Sequence, residues 1–537
     1  MPSGPAAEPV STGYGVLFAL GAVILVSMWL GERAQKVVER GSFMKGYFLG
    51  NRGLGAWALA LTATVQSGGT FMGFPSLVYS HGWVVMLWIS SYMVVPMIGF
   101  AVLGKRFAQL SRRTGAITVP DLFRARFDSP AVGLAASIAI IFFMSFLMIA
   151  QFKAGAIVMQ LAWPGGSLAL GEELAGGVDR AYLIGLGVFS VTVVAYTLVG
   201  GFLASVWTDL FQSILMLIGV MLLFVIVVPL FDTAAMRQLT LDAVQATSPS
   251  FASGPGYAKD GRDFLPLGLA VSYFFVWGLS GVGNPASMVR VMASKDTPTM
   301  RRSIVLLGVY NFFIYVPLVI LCIAARSILP NVDKTDEVIP RLALHATSHL
   351  TGGSLLSGLI LSAPFGAVMA TVSSYLVMIA SGLVRDVYQR FYRPHASDRE
   401  IRHLSYGVMI TLGIIGILAN ISPVNYLQAL IIFSSTTTSA TFLAPALLGA
   451  YWRRTTAAGV LAAMASGAAV MLTLSVAGWL GSDPMIDAAS KFRPYYLAGM
   501  HPVVYGLPAS FIVCVVVSLL TKPPRPEVVS KLFDVAG

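Results

Sequence analysis

Asp209 is the residue whose position most clearly implies chemistry, because it is an acidic side chain well inside a long apolar run. The run, residues 200–231, reads GGFLASVWTDLFQSILMLIGVMLLFVIVVPLF. An ionisable group at bilayer depth costs at least a few kcal/mol, so it is rarely kept unless it handles a cation or a proton. Lys153 is the one cation that we place at comparable depth, and nothing in the sequence connects it to Asp209. The pattern indicates an ion-coupled membrane protein, with a structural carboxylate bonded to nearby hydroxyls as the alternative.

Lys153 is a second candidate for binding chemistry. It lies about eight residues before the outer end of its apolar segment, which places it roughly 12 Å deep at a helical rise of about 1.5 Å per residue. Extending the amine to water over that distance is difficult, so we expect a polar cavity around it. The carboxylate of an anionic solute is a natural counterion, and packing toward water or toward Asp209 is the alternative.

Two apolar segments are interrupted at corresponding places. LTATVQSGGTFMGFP contains Ser67, Gly68 and Gly69, and VWGLSGVGNPASMVR contains several glycines and Pro285. Paired interruptions in the two halves of a chain are typical of transporters with inverted repeats and a binding site near the bilayer midplane. The alternative is that glycine and proline serve only close packing or kinks, as they often do in membrane helices.

The composition requires that most of these segments lie in lipid. Hydrophobic residues make up 56% of the chain, charged residues 11%, and the mean hydropathy is +0.78. Soluble domains carry about 25% charged residues. Windows of about 19 residues predict an all-α protein with 13 transmembrane helices. The predicted spans are 14–31, 56–79, 83–103, 132–161, 181–199, 202–229, 266–289, 303–325, 352–383, 404–421, 424–450, 457–480 and 501–521.

The distribution of lysine and arginine predicts the topology. Of the 35 basic residues, 25 lie on one side of the predicted spans. They are in 32–55, 104–131, 290–302, 384–403, 452–455 and the tail after 521. The positive-inside rule places the N-terminus outside and the C-terminus in the cytoplasm of a multi-pass protein of the inner (plasma) membrane.

The net charge of +11 therefore reflects topology, and we expect no nucleic-acid partner. The first span lacks a basic n-region and a cleavage site, so we expect it to be retained. Cys322 and Cys514 both lie in apolar spans, and no HExxH pattern occurs. We therefore expect no zinc or redox chemistry and no enzyme activity.

Several motifs resemble the sodium/solute symporter family over about residues 45–455. They are Tyr47-Phe48-Leu49-Gly50-Asn51-Arg52, Gly200-Gly201-Phe202 with Trp207-Thr208-Asp209, Pro285 with Val289-Arg290, and Ala367-Val368-Met369-x-Thr371. The run Leu103–Ala108, the pair Arg112-Arg113, the Phe123-x-Ala125-Arg126 motif and the Gln151-Phe152-x-x-Gly155-Ala156 motif are most similar to sodium/pantothenate symporters. Trp277-Gly278-Leu279 instead resembles the sodium/proline branch.

The resemblance implies a leucine-transporter-like core of two five-helix inverted repeats, with one helix before it and two after it. Residues 1–55 would form the extracellular N-terminus, the first helix and a cytoplasmic loop. The transport core would span 56–450, with repeat one at about 56–229 and repeat two at about 266–450. Residues 451–537 would form the two accessory helices and the tail.

The resemblance also implies where sodium, the coupling ion, would bind. Its main ligands carry over to the Ala63 and Gln66 carbonyls, the Ala367 carbonyl and the side-chain positions 370 and 371. Thr371 keeps its hydroxyl, but Ala370 lacks the second one. Neutral carbonyl and hydroxyl oxygens suit a hard cation.

A second sodium, present in some family members, would use Asp209 with Ser373 and Ser374. One ion and two ions both stay open.

The predicted substrate residues lie along the two interrupted segments and the helix of Lys153. They are Ser67, Gly68, Gly69, Gln151, Lys153, Trp277 and Gly281. The family implies a sodium-coupled secondary active symporter that imports a small organic solute by alternating access. A carboxylate such as pantothenate is the first candidate. The alternatives are another solute (a monocarboxylate, sialic acid, proline or a sugar), proton coupling through Asp209, or a transporter-like sensor. The expected partners are the solute, sodium and the lipid bilayer, and the sequence leaves the oligomeric state open.

Overall fold

The computed structural model describes most of the chain as helices. The described ranges are 13–38, 54–63, 67–85, 99–164, 179–230, 267–330, 334–422, 427–481 and 493–534, with residues 88, 91, 93, 234, 238 and 332 between them. Within these ranges there is no strand, and the only β-type pairing is an isolated bridge between Leu54 and Ser294. The predicted all-α class is confirmed.

Seventeen α-helices occur in the described ranges. They are α1 (Gly15–Val38), α2 (Ala56–Ala63), α3 (Phe74–His81), α4 (Lys105–Thr114), α5 (Val119–Phe127), α6 (Pro130–Ala162), α7 (Arg180–Val227), α8 (Leu267–Gly283), α9 (Pro285–Met292), α10 (Thr297–Ile328), α11 (Val338–Thr347), α12 (Gly353–Ser381), α13 (Asp398–Asn420), α14 (Leu427–Tyr451), α15 (Ala457–Gly481), α16 (Val503–Leu520) and α17 (Pro526–Phe533). Gly69–Gly73, Phe100–Gly104 and Gly382–Tyr392 are π-helical.

Helices α12 and α14 form the centre of the molecule. In their most apolar windows, 83% and 89% of the residues are buried inside the protein, against 33% for α1 and α13. A helix that is apolar all round can be buried on every side, whereas the outer helices turn one side to lipid. Two hydroxyls of α14, those of Thr436 and Thr438, donate to carbonyls of their own helix. Those of Ser434 and Ser439 donate to carbonyls of α6 and α8. These four hydroxyls are therefore satisfied inside the protein, whereas Thr437 Oγ1 has no hydrogen-bond partner among the described residues.

Gly201 separates two of the predicted spans. The helical run Arg180–Val227 is continuous in hydrogen bonding, but Gly201 has φ 57° and ψ −140° within it. A residue without a Cβ adopts this conformation readily. The predicted boundary between 181–199 and 202–229 therefore coincides with a sharp kink rather than with a loop.

The two segments predicted to be interrupted are both interrupted. In the segment between α2 and α3, the described residue Ser67 is not helical and a π-helix begins at Gly69. Between α8 and α9, Asn284 leaves the helical conformation and the axes differ by 42°. The Asn284 side chain accepts a hydrogen bond from the Ala286 amide, which caps α9.

The described residues contain fewer membrane-length helices than the 13 predicted spans. Nine helices there are long and apolar enough to cross a membrane, and ten if α8 and α9 count as one span. Arg180–Leu230 counts once although it covers two predicted spans. The count of 13 stays a prediction, as do the three domain boundaries. Helices α4, α5, α11 and α17 lie in stretches that the sequence assigned to connectors or to the tail.

The basic connectors meet at one end of the molecule. Arg112 donates to the backbone oxygens of Ser294 and Lys295, and Arg390 pairs with Asp121. Arg453 pairs with Asp534 near the end of the tail. We call this end, formed by the described parts of 104–131, 290–302, 384–403, 452–455 and 522–534, the basic face. The predicted grouping of these stretches on one side is therefore consistent with their contacts.

Candidate functional site

The interrupted segment after α2 is held by side chains at its backbone amides. The Gly68 amide donates to Gln151 Oε1 at 2.7 Å, and the Gly69 amide donates to Ser67 Oγ at 3.1 Å. The Thr70 amide donates to the Ser67 carbonyl at 2.9 Å. Residues 64–66, and with them the predicted ligand Gln66, lie outside the described residues. Side chains thus replace part of the helical hydrogen bonding here.

Gly68 lies in a narrow space between α6 and α12. A Cβ added at Gly68 would lie 2.7 Å from Ala154 Cβ and 3.2 Å from Val368 Cγ2. Only glycine allows this approach without displacing a neighbour. Val368 precedes Thr371 by about one helical turn, so the interrupted segment packs against the part of α12 that carries the predicted sodium ligands.

Thr371 and Ala367 lie on the same buried face of α12. The Thr371 hydroxyl donates to the Ala367 carbonyl at 2.9 Å, and both residues are fully buried. The Ala370 carbonyl accepts hydrogen bonds from the Ser373 and Ser374 hydroxyls at 3.1 and 2.8 Å. The oxygen atoms available here as sodium ligands are therefore uncharged carbonyl and hydroxyl oxygens. A hard monovalent cation prefers oxygen ligands of this kind.

Asp209 forms a buried ion pair with Arg290, and this corrects the expectation that only Lys153 lies at comparable depth. Arg290 Nη2 is 2.7 Å from Asp209 Oδ2, and the two side chains are 2% and 3% exposed. Sequence reasoning had counted Arg290 among the basic loop residues. The pair connects α9 of the second repeat with α7 of the first.

Ser374 and Ser205 complete this buried cluster. Arg290 Nη2 also donates to Ser374 Oγ at 2.6 Å, and Ser374 donates weakly to Asp209 Oδ2 at 3.4 Å. Ser205 is within 3.1 Å of Ser373 Oγ and 3.2 Å of Ser374 Oγ. Asp209 Oδ1 has no hydrogen-bond partner among the described residues. The residues predicted for a second sodium therefore do come together, but a guanidinium lies among them.

Lys153 has a counterion within the protein. Its Nζ is 3.3 Å from Asp336 Oδ2, and the two side chains are 10% and 14% exposed. Asp336 belongs to the 3-10 turn Thr335–Glu337, which precedes α11 at the end opposite the basic face. The alternative that Lys153 packs toward Asp209 is wrong, because Asp209 pairs with Arg290.

A cavity lies where the two interrupted segments meet. Of the predicted substrate residues, Ser67, Gly69, Trp277 and Gly281 line it, whereas Gly68, Gln151 and Lys153 do not. Gln151 instead positions the Gly68 amide. Polar residues that the sequence analysis did not select also line the cavity: Thr70, Asn284, Ser287, Tyr315, Tyr375, Gln428 and Ser435.

Gln428 is the most informative of the residues that were missed. It is 2% exposed, it lines the cavity, and its Oε1 has no hydrogen-bond partner among the described residues. Its position close to Gly69 directs this amide at the interrupted segment. A buried amide without a partner is costly unless a ligand or water satisfies it. The sequence feature that could have identified Gln428 is the presence of a polar residue near the start of the predicted apolar span 424–450.

Aromatic rings form one wall of the cavity. Trp88 stacks on Trp277 with ring centroids 5.5 Å apart and on Tyr273 at 4.6 Å. The Tyr315 hydroxyl lies 3.4 Å from Thr70 Oγ1 on another side. The cavity therefore combines apolar ring surface with a few hydrogen-bonding groups, as is typical of sites for small organic molecules.

The cavity extends toward the basic face. Phe107 of α4 and Val291 of α9 line it, and both helices carry basic-face residues. At the opposite end, Ser76 is hydrogen-bonded to Thr335 at 2.5 Å, and the Tyr79 hydroxyl donates to the Leu329 carbonyl. No described residue of 329–347 lines the cavity. The structure thus has its cavity on the basic side of the interrupted helices, whereas on the other side the connector 329–337 is hydrogen-bonded to α3.

Comparison with known proteins shows which proteins this chain is similar to. A profile of the sodium:solute symporter family matches residues 47–467. A sodium/pantothenate symporter of Escherichia coli (strain K12) is 29% identical, covering 90% of this chain and 96% of that protein. An osmoregulated proline transporter of Bacillus subtilis (strain 168) is 27% identical, covering 95% of each. The solved structure of a Na+-coupled sialic acid symporter superposes with a TM-score of 0.70 at 18% identity, covering 96% of this chain and 99% of that one. The last likeness confirms the leucine-transporter-like fold.

Proposed function

Because this chain belongs to the sodium:solute symporter family, we propose that it imports a small organic carboxylate together with sodium. The observation that carries the proposal is the cavity between two interrupted helices, lined by donors and by aromatic rings. Helix interruptions at mid-membrane expose backbone groups that bind ions and polar solutes. Transport, rather than catalysis, is what such an arrangement performs.

The proposed sodium site consists of the carbonyls of Ala63, Gln66 and Ala367 and the hydroxyl of Thr371. Its support is the packing of Gly68 beside Val368, one turn from Thr371. Ala370 contributes no hydroxyl, so we expect a weaker site than one with both hydroxyls. The ion pair of Asp209 with Arg290 favours one sodium over two, because the guanidinium already neutralises the carboxylate.

Pantothenate is the first candidate for the solute. The relatives named above are, by their names, transporters of pantothenate, of proline and of sialic acid, and each of these molecules carries a carboxylate. In the cavity, amide and hydroxyl groups such as those of Gln428 and Tyr315 would meet the polar groups of the solute, and Trp277 and Trp88 its apolar part. Proline is the second candidate. Trp277 lines the cavity, and the Trp277-Gly278-Leu279 motif resembles the sodium/proline branch of the family.

The proposed orientation has the basic face in the cytoplasm. The cavity then opens toward the inside, and the connector before α11 closes the outside. Alternating access requires that sodium bind the outward-facing form more tightly than the inward-open form described here. A ligand shifts the equilibrium between two conformations only if its affinities for them differ.

Uptake into liposomes tests the proposal. Radiolabelled pantothenate, proline, lactate and sialic acid would be offered with an inward sodium gradient, and then with choline in place of sodium at fixed pH. We expect uptake of one carboxylate that disappears in choline. Uptake that persists in choline and follows a proton gradient would instead establish proton coupling.

Thr371→Ala tests the sodium site directly. We expect the sodium concentration for half-maximal uptake to rise about tenfold, the effect of losing about 1.4 kcal/mol of ion binding. Thr371→Ser, which keeps the hydroxyl, is the matched control and should stay near the parent value. An unchanged sodium requirement in Thr371→Ala would remove Thr371 from the site.

A further inference from the structure

Three arginines from three separate segments surround the ring of Phe533. The guanidinium carbon lies 4.7 Å from the ring centroid for Arg106, 4.9 Å for Arg126 and 5.6 Å for Arg453. Arg106 belongs to α4, Arg126 to α5 and Arg453 to the connector after α14. We call these three residues the arginine socket. Phe533 ends α17 in the C-terminal tail, so a tail residue joins parts of the basic face that are far apart in the sequence.

Two of the three socket arginines are held by contacts that do not involve the tail. Arg106 Nε donates to the Ala450 carbonyl at 2.9 Å, and Arg126 Nε donates to the Gly449 carbonyl at 2.7 Å. Arg126 Nη2 donates to the Trp452 carbonyl at 3.1 Å. The guanidinium groups of Arg106 and Arg126 are therefore fixed by the end of α14 and by the residue that follows it, whereas Arg453 contacts the tail residues Phe533 and Asp534. Two of the three arginines would stay in place without the tail.

The arginine socket brings positive charges together in a region that is partly buried from solvent. Arg126 is 2% exposed, and burial, followed by the charge of Arg106, lowers its pKa to about 10. Its Nη1 has no hydrogen-bond partner among the described residues. The electron-rich face of an aromatic ring and an anionic group both offset such charge. The chemistry of the socket thus suits an aromatic residue beside an acid.

The tail presents this combination. Leu532 is 2% exposed, and its carbonyl accepts a hydrogen bond from Arg113 Nη1 at 2.8 Å. Asp534 Oδ1 lies 2.9 Å from Arg453 Nη2, but the two side chains are 53% and 60% exposed, so this pair contributes little by itself. The buried Leu532 and the ring of Phe533 are therefore the main anchors.

We propose that the arginine socket is a recognition site for an aromatic residue, that the chain's own Phe533 occupies it, and that this occupancy restrains α4. The rings of Phe107, Phe123 and Phe127 connect the socket to the cavity, with centroids 6.3 Å apart for the first pair and 6.0 Å for the second. Phe107 lines the cavity, and Arg126 lies 5.0 Å from the ring of Phe127. A tail that holds α4 against α5 therefore opposes movement of a cavity wall.

Peptide binding tests recognition without any transport assay. A variant that ends at Thr521, checked for folding by its melting temperature, would be titrated with a fluorescent peptide of residues 522–537. We expect saturable binding, weakened at least tenfold by Phe533→Ala in the peptide, because that change removes the ring contacts of three arginines. The peptide with Lys531→Ala is the matched control, since Lys531 is exposed on the same helix. Binding that ignores Phe533→Ala would overturn the proposal.

Hydrogen exchange tests the restraint in the full chain. In Phe533→Ala we expect the amides of α17 and of α4 to exchange roughly three- to tenfold faster than in the parent, as the loss of a cation–π anchor implies. Lys531→Ala should leave both helices unchanged. Unchanged amide hydrogen exchange in α4 of the Phe533→Ala variant would contradict the proposal that the tail restrains α4. Neither measurement depends on sodium or on a solute, so the proposed function can fail while this inference stands, and the reverse.

Discussion

The contact between Asp209 and Arg290 changes the role that we infer for Asp209 from its position in the sequence. An acidic group at bilayer depth indicates a bound cation, and here the cation is a side chain of the same protein. A buried pair adds little net stability, but removal of one partner leaves an uncompensated charge and costs about 3–5 kcal/mol. The pair therefore behaves as a unit, so the effect of either single substitution has to be compared with that of the double substitution.

A double-mutant cycle on this pair gives the first prediction. Asp209→Asn and Arg290→Gln should each lower the melting temperature by several degrees, and the double variant should lose less than the sum, because the second change removes the orphaned charge. Melting would be followed by intrinsic fluorescence with and without sodium. Strictly additive losses would contradict the coupling, and a sodium effect abolished only by Asp209→Asn would favour a second ion at this carboxylate.

Ala370 provides a gain-of-function prediction at the same scale. It is 3% exposed and lies one residue from Thr371, where the family pattern has a hydroxyl. Ala370→Ser should supply the missing oxygen and lower the sodium concentration for half-maximal uptake several-fold, by roughly 1 kcal/mol of ion binding. Ala380→Ser, buried further along the same helix, is the control. A sodium requirement that does not fall would show that position 370 faces away from the ion.

At the scale of elements, the connector before α11 is fastened to two helices. Asp336 pairs with Lys153 of α6, and Thr335 bonds to Ser76 of α3. The Val332 amide also donates to the Tyr79 hydroxyl at 3.3 Å. These contacts join the two repeats at the face opposite the basic one. Opening of that face must break them, so Lys153 belongs to a closing contact here rather than to the cavity.

A charge exchange distinguishes this role of Lys153 from binding of the solute carboxylate. Lys153→Ala and Asp336→Ala should change initial uptake in the same direction and by a similar factor, because both break one contact. The double variant Lys153→Asp with Asp336→Lys should return most of the parent rate. If Lys153 instead binds the solute, Asp336→Ala leaves the solute requirement unchanged and the exchange gives no rescue.

The close packing of α2–α3 against α6 and α12 also yields a prediction. Gly68→Ala should lower the melting temperature and reduce uptake, because the new Cβ would lie 2.7 Å from Ala154 Cβ. Overpacking of this kind costs roughly 1–3 kcal/mol. Gly21→Ala in α1, where an added Cβ meets no atom within 4 Å, is the matched control and should be neutral or slightly stabilising. Equal behaviour of the two variants would contradict the packing.

At the scale of the whole molecule, the neutral Asp209–Arg290 pair leads to a prediction about electrogenicity. One sodium with one monoanion moves no net charge, so a potential of about 100 mV, worth about 2.3 kcal/mol per charge, should not alter accumulation. A tenfold sodium gradient alone would then concentrate the solute about tenfold. Uptake into liposomes at clamped potentials measures this. Accumulation that rises steeply with an inside-negative potential would require a second sodium.

The sequence alone determined the all-α class, the family, the two interrupted helices and most helix limits. Apolar length and helical hydrogen bonding are local properties in lipid, because every backbone group must be satisfied within its own segment. The resemblance motifs are likewise short runs of residues. Even the glycine kink at Gly201 appeared as a boundary between two predicted spans.

Only the tertiary structure decided the partners of the charges and the lining of the cavity. Arg290 is 81 residues from Asp209 in sequence, and Asp336 is 183 residues from Lys153. Gln428 reaches the segment of Gly69 only because α14 packs against it. Side chains so distant in the chain meet through packing of whole helices, and no local pattern specifies which faces those helices share. The same reason explains why a tail phenylalanine was not expected among three arginines.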